Sequence, residues 1–233
     1  MESSPFNVET AFTIGPLAVS WPVVVTWGIM AFLTAVSFII TRRLSLKPGR
    51  AQAVLELIVS TLDSEIRETV AGNPARFRPL IGTLLIFILA ANWTSLVPGV
   101  EPPTAHLETD AALASIVFLA SIFWAIRSQG VGGWLGSFVR PSWLMLPLNV
   151  IGQITRHFSL MIRLFGNVMS GVFVISIVLS LAGLLVPIPL MALEMLTGAV
   201  QAYIFATLAL VFVGSAVSEA ATENEPKQKG TEA

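Results

Sequence analysis

The residues of this chain able to do chemistry stand where a membrane would least favour them. In the apolar tract 144–217 the formal charges are Arg156, Arg163 and Glu194. Asn149, Arg156, Arg163, Asn167 and Ser170 are spaced by 7, 7, 4 and 3, which puts them on one face of a helix. Gly166 and Ser170 are small enough to let a neighbouring helix approach closely. Farther on, Glu194, Thr197, Gly198 and Gln201 share a face as well. Arg163 is the most expensive of these residues. An arginine at mid-depth costs from about 2.5 to over 10 kcal/mol. It lies about 20 residues from either end of its tract, too deep for easy snorkelling, and needs water or an anionic partner. A guanidinium does not give up its proton, so Arg163 cannot relay one. It can hold a fixed positive charge that draws in a carboxylate, favours its ionised form and repels passing cations. Glu194 is the opposite type, a titratable group that could pass protons or receive a cation. The plainer alternative is one structural ion pair between Arg163 and Glu194, which would mean packing and nothing more. Arg156 and His157 lie near the inner end of their tract, where an interfacial role is the simpler reading.

The elements that must hold these residues follow from composition. Of 233 residues, 55% are hydrophobic and 12% charged, about half the charge of a soluble domain. That argues for an all-α polytopic membrane protein. There is no cysteine, which excludes disulfides, thiolate metal sites and cysteine nucleophiles. A net charge of −1 gives no case for nucleic acid. No phosphate loop, metal-ligand cluster or triad is present, so no cofactor, no metal and no catalytic residue are expected. Charge-free stretches between Glu9 and Arg42, Arg78 and Glu101, and Asp110 and Arg127 predict spans at about 17–41, 79–98 and 110–126. The Gly183–Pro187 break divides the last tract into spans at about 144–183 and 187–217. Segments of 40 and 31 residues would be about 60 Å and 46 Å long, against about 30 Å of hydrocarbon. They remain apolar on most faces, which predicts a long, steeply tilted, near-horizontal hairpin. Leu55, Ile58, Leu62 and Ile66 recur at helical spacing among charges. That predicts an amphipathic helix over 51–70, at the inner surface or against a partner. Trp21, Trp93, Trp124 and Trp143 fall near span ends, as anchors would.

Arg42, Arg43, Lys47 and Arg50 crowd the first connection, and Arg67, Arg76, Arg78, Arg127 and Arg140 fall on the same side. Glu2, Glu9, Glu101, Glu108 and Asp110 lie on the other. The positive-inside rule then sets the N-terminus outside and, after five spans, the C-terminus inside. One membrane domain over 1–233 results. It comprises an outer segment 1–16, peripheral helices over 17–143, the hairpin over 144–217 and an inner, disordered tail over 218–233. The first 16 residues lack a basic start, so no cleavable signal peptide is expected.

The run Ser159-Leu160-Met161-Ile162-Arg163-Leu164-Phe165-Gly166-Asn167 resembles the signature of subunit a of F-type ATP synthases. Other stretches are similar in order and spacing: Asn92 with Leu96-Val97-Pro98, Pro103-Thr104-Ala105, Pro147-Leu148-Asn149, Gln201-Ala202-Tyr203-Ile204-Phe205, and Ser218-Glu219. The likeness covers about 80–220. It implies a non-catalytic stator subunit of a rotary ATP synthase in the bacterial cytoplasmic membrane. Its partners would be a ring of c subunits, b-type peripheral stalk subunits and lipid. Two half-channels would carry H+ or Na+ to and from the ring. Arg163 matches the essential charge, Asn167 a polar neighbour, Glu194 a half-channel position often His or Glu, and Gln201 a glutamine facing the arginine. Asn92, Ser95, Asn149, Gln153, His157, Ser170 and Thr197 are further candidates for the lining. The chain departs from the pattern at Val172, where an acid or histidine is common, at Gly152, near a frequent glutamate, and at His157, in place of a proline. A stand-alone channel or secondary transporter would tend to show internal repeats, which this sequence lacks. A scaffold whose Arg163 and Glu194 are merely structural is the third possibility.

Overall fold

The computed structural model describes residues 10–14, 17–42, 49–70, 73–97, 100–139, 143–183 and 185–224. Expectations that rest on residues 1–9, Arg43, Lys47, Pro98, Arg140 and 225–233 fall outside the described residues. Among the described residues, six α-helices follow a short hairpin of strands β1 (Thr10–Ile14) and β2 (Leu17–Ser20). The helices are α1 (Trp21–Thr41), α2 (Arg50–Thr69), α3 (Arg78–Trp93), α4 (Leu107–Val139), α5 (Leu146–Ala182) and α6 (Pro187–Asn224). Five are long and apolar enough to cross a membrane, and α2 is the exception. The all-α membrane architecture therefore stands, with an antiparallel β1–β2 pair added before it. That pair takes residues 17–20 from the expected first span.

Prolines mark most helix starts, at Pro22, Pro79, Pro147 and Pro187. The first turn needs no N–H partner, so proline fits there without loss. α6 is the spine of the fold, packing against α2, α3, α4 and α5. The core forms where these meet: Ile81, Ile88, Val117, Leu160, Leu164, Val168, Phe205, Ala209, Leu210 and Val213 are all buried. Apart from Pro22 and Ile29, α1 buries little and stands at the edge.

The expected amphipathic helix is α2. Its stripe faces the chain's own bundle: Leu62 and Ile66 are buried, with Ile58 partly so. Gly82 of α3 lies against Leu62, and Gly214 of α6 against Val70 just past the helix. Arg78 clasps Asp63 through two hydrogen bonds, Nε to Oδ1 at 2.7 Å and Nη2 to Oδ2. This fork fixes α2 to the start of α3.

The third span is longer than expected. α4 runs to Val139, interrupted at Gly130, whose φ of 74° and ψ of 168° only glycine adopts readily. Residues 131–139 turn away there as a separate short helix, a piece that apolarity around Arg127 did not reveal. Gly183 ends α5 in nearly the same conformation, φ 70° and ψ −172°, at the expected break. The chain does not leave its helix at Ser218, because α6 continues to Asn224 through Glu219-Ala220-Ala221, strong helix formers. Trp124 lies well inside its helix and packs on Phe77 at 4.7 Å between centroids, a core contact rather than an anchor.

Candidate functional site

α5 divides lengthwise. Leu160, Leu164 and Val168, one turn apart, face the bundle and are buried. Ser159, Ile162, Arg163, Gly166 and Ser170 form an exposed stripe on the other side. Arg163 makes no hydrogen bond or ion pair among the described residues. The ion pairs there are Arg78–Asp63 and His106–Glu101. The structural pair between Arg163 and Glu194 is therefore not formed.

Glu194 instead sits on Gly171 of α5. A Cβ on Gly171 would lie 2.6 Å from Glu194 Oε1 and 2.7 Å from its Cδ, so only glycine leaves room for this carboxylate. Both its oxygens are buried without hydrogen-bond partners among the described residues. The Gly171–Glu194 contact also sets the register of the hairpin. Moving seven residues along each antiparallel helix brings Gln201 level with Leu164, and so with Arg163 in height. Gln201 is buried, and its Nε2 has no partner.

Of the face predicted on α6, Glu194, Gly198 and Gln201 turn inward, while Thr197 is exposed and donates to Glu194 O at 3.0 Å. Gly198 is tight for a reason. Asn92 on α3 lies against it and donates from Nδ2 to its carbonyl at 2.9 Å, while Thr104 Oγ1 donates to Asn92 Oδ1 at 2.8 Å. Asn92 and Thr104 are both buried. Ser95 donates to the Asn92 carbonyl at 2.8 Å. On α5, Ser170 donates to Asn167 O at 2.9 Å and is exposed, with Asn167 half-buried.

Toward the start of α5 the structure opens. A cavity of about 440 Å³ is lined by Ser121, Ser137, Asn149, Gln153, Arg156 and Ser215, with apolar neighbours. A second, of about 500 Å³, runs past Gly152, Arg156 and Ser159 to Arg163. The two share Leu148, Gly152, Arg156 and Phe212, so they adjoin as a two-part groove between Asn149 and Arg163. The kink at Gly130 helps build it, because residues 131–139 supply Trp134, Ser137 and Phe138. Asn149 ties that piece down by donating to Phe138 O at 3.0 Å. Arg156 lines both cavities, beyond the interfacial role expected of it. His157 does not join them. It is buried between Phe118 and Phe212, its Nδ1 2.8 Å from Gln153 O.

Sequence reasoning missed Thr104, Gly171 and Asp110. A threonine beside a proline turn and a glycine in an apolar helix carry little signal alone. Asp110 stood as the edge of a charge-free stretch and as an outer-side acid, whereas the structure buries it completely.

Known proteins resemble this chain over nearly its whole length. The family model described as ATP synthase A chain matches residues 23–214. It thus takes in α1 and α2, beyond the 80–220 carried by the recognisable motifs. ATP synthase subunit a 2 of a Bradyrhizobium species is 52% identical over 221 residues, 95% of this chain and 99% of that one. ATP synthase subunit a of Albidiferax ferrireducens is 43% identical, covering 92% and 94%. Subunit a 2 of Pelobacter propionicus is 42% identical, covering 97% and 99%. With a family match from α1 to α6 and likeness along nearly the whole length of such relatives, the chain belongs to the ATP synthase A chain family, the ion-translocating stator subunits of the membrane sector.

Proposed function

We propose that Arg163 is the fixed charge past which the carboxylates of a c-subunit ring move, and that polar groups on either side of it line two ion half-channels. The observation that carries this reading is the exposed stripe of α5. An arginine with no ion pair among the described residues stands there among Ser159, Gly166 and Ser170, on a 37-residue helix about 55 Å long. That length supports a steep tilt within the membrane. Small residues allow a neighbouring helix to approach, and the arginine then meets the anionic partner that its depth demands.

The mechanism is electrostatic. An ionised ring carboxylate is costly in lipid, but opposite Arg163 it is stabilised without its ion. Reloaded and neutral, it can move out into lipid. The guanidinium does not release a proton and repels cations, so ions do not pass straight from one half-channel to the other. This chain supplies charge and passage, and ATP chemistry lies elsewhere in the complex. With the positive-inside orientation, N-terminus outside and C-terminus inside, the groove from Asn149 and Gln153 to Arg163 opens inward. Glu194, Gln201 and the Asn92–Ser95 region then belong to the outer path, with Asn167 and Thr197 flanking the ring-facing side. His157, clamped between rings, orients the helix instead of carrying ions. The b-type stalk would hold the subunit against the torque of the ring. H+ stands ahead of Na+ as the ion, which ligands on the ring largely choose.

The test is ATP-driven ion uptake into inverted vesicles holding the whole complex, with and without Na+, for wild type and Arg163→Ala. The expected result is uptake abolished, with complex assembled and ATP hydrolysis chemistry retained. Uptake that survives Arg163→Ala would sink this reading. A requirement for added Na+ would change the ion.

A further inference from the structure

Three side chains at the start of α4 form a graded series that the arginine mechanism does not use. Glu101 is 72% exposed, and its Oε2 lies 3.4 Å from Nε2 of His106, whose side chain is 14% exposed. Asp110 follows one helical turn later, its backbone N–H directed at His106 O over 3.4 Å. His106, with extended backbone at φ −111° and ψ 127°, stands immediately before α4, and Asp110 lies in the first turn after it. Asp110 is 0% exposed, and neither of its carboxylate oxygens has a hydrogen-bond partner among the described residues. His106 Nε2, too, is buried with no hydrogen bond.

A carboxylate kept for structure would cap or bridge something, since buried polar groups are nearly always bonded. The first turn of a helix welcomes an acid, but that does not account for complete burial without a donor. An ionised carboxylate so placed is costly unless a proton or cation accompanies it. Further buried polar groups stand just before α4. Pro103, Thr104 and Ala105, just before α4, are buried and pack on α3, α4 and α5. Thr104 connects through Asn92 to Gly198 O, one turn of α6 beyond Glu194, whose two oxygens are also buried and unpaired. The other titratable groups on the elements packed here are few. Glu108 on α4 is exposed, and Arg127 lies well along the same helix. α5 brings Arg156, His157 and Arg163, and α6 brings Glu194, Tyr203 and, in its last turns, Glu219 and Glu223. α1 carries none, and α3 carries Arg78 at its opposite end.

We propose that Asp110 is a proton-relay residue of the outer half-channel, loaded through Glu101 and His106 and emptied toward Glu194. A proton passes from water or Glu101 to the His106 imidazole, from the imidazolium to an Asp110 oxygen, and on to Glu194. Each carrier returns to its starting charge as it hands the proton on, so only N–H and O–H bonds form and break. An imidazole nitrogen favours a proton over Na+, because hard cations prefer oxygen ligands. The inference rests on the function proposed above.

The experiment uses the complete complex in liposomes, with ATP synthesis driven by an imposed gradient while the pH on the intake side is varied. Asp110→Asn keeps the shape and removes the titration. It is expected to lower synthesis about tenfold or more near neutral intake pH, in line with loss of a proton-transfer group. The loss should be smaller at acidic intake pH, with assembly unchanged. Asp110→Glu is expected to restore most of the rate. His106→Gln should weaken the response to intake pH in the same direction. Wild-type behaviour of Asp110→Asn and His106→Gln overturns the proposal, as does an Asp110→Glu variant as slow as Asp110→Asn, which would mark a packing role. Synthesis that follows added Na+ through Asp110 overturns the proton assignment. If Asp110→Asn fails to assemble, the His106→Gln profile decides alone. Arg163→Ala runs beside these: coupling that survives it removes the stator reading itself, whereas coupling lost there but unmoved at Asp110 removes only the relay.

Discussion

Glu194 and Gly171 show how much one missing side chain decides. The carboxylate occupies the volume a methyl on Gly171 would need, at 2.6–3.0 Å from the ideal Cβ. The obstructing atoms belong to the outer part of a flexible side chain, so Gly171→Ala should fold by turning Glu194 away. A displacement of about 1 Å in a positioned group can cost up to about a hundredfold in rate. Gly171→Ala is therefore expected to leave the amount of assembled complex unchanged and to lower ATP-driven ion uptake at least about tenfold. Equal uptake in variant and wild type would show that the position of Glu194 is not critical. Arg163 and Glu194 were legible in the sequence because charges in an apolar tract are costly. The glycine that makes room was not, since close approach is a property of two helices and no periodicity within one of them records it. Asp110 failed for a related reason. An acid beside a loop looks like the end of a span until the neighbouring segment folds over it.

Helix lengths and breaks were read more easily than helix faces. Apolar tracts and prolines set both ends of α5 and the starts of α3 and α6 to within a few residues, because burial of backbone in lipid demands helices, whereas α6 runs on past its expected end to Asn224. The face of α6 was read less well. Thr197 follows Glu194 by three residues, yet the 100° steps of a helix leave it at the edge of the stripe, and α3 and α5 together bury only the middle. The stripe of α2 was visible, though not its occupant, since a membrane surface and a neighbouring helix ask for the same residues. Gly183 carries its own prediction at this scale. Its φ of 70° and ψ of −172° lie in a region that is close to glycine-only. Gly183→Ala should cost about 1–3 kcal/mol, with nothing within 4 Å of the new methyl to add a clash. The expected readout is a lower midpoint of thermal unfolding for the detergent-solubilised complex. An unchanged midpoint would mean that the turn from α5 into α6 relaxes at no cost.

Across the whole molecule, the fold sorts polar groups by what is left to satisfy them. Asn92, Thr104 and Ser95 find partners inside the bundle. Arg163 finds none there and remains on the open stripe of α5. A soluble protein would hydrate such a residue at no cost, but a membrane subunit must obtain its partner from a neighbour. The apolar residues tell the same story, because Leu160, Leu164 and Val168 are spent on the core while Ile162, Phe173 and Ile177 are left exposed. If that stripe meets a rotating ring, contact should follow the helix period and be confined to one side. The chain has no cysteine of its own, so single cysteines can be introduced without background. Cysteines at Ser159, Gly166, Ser170 and Ile177 are expected to cross-link to cysteines on the outer helices of the ring, with positions between them in sequence, such as Leu164 and Val168, unreactive. Turning the ring with ATP before oxidation should spread each cross-link over many ring subunits. Reaction at the buried positions as readily as at the exposed ones would place the ring elsewhere, and Arg163 would then need a different anionic partner.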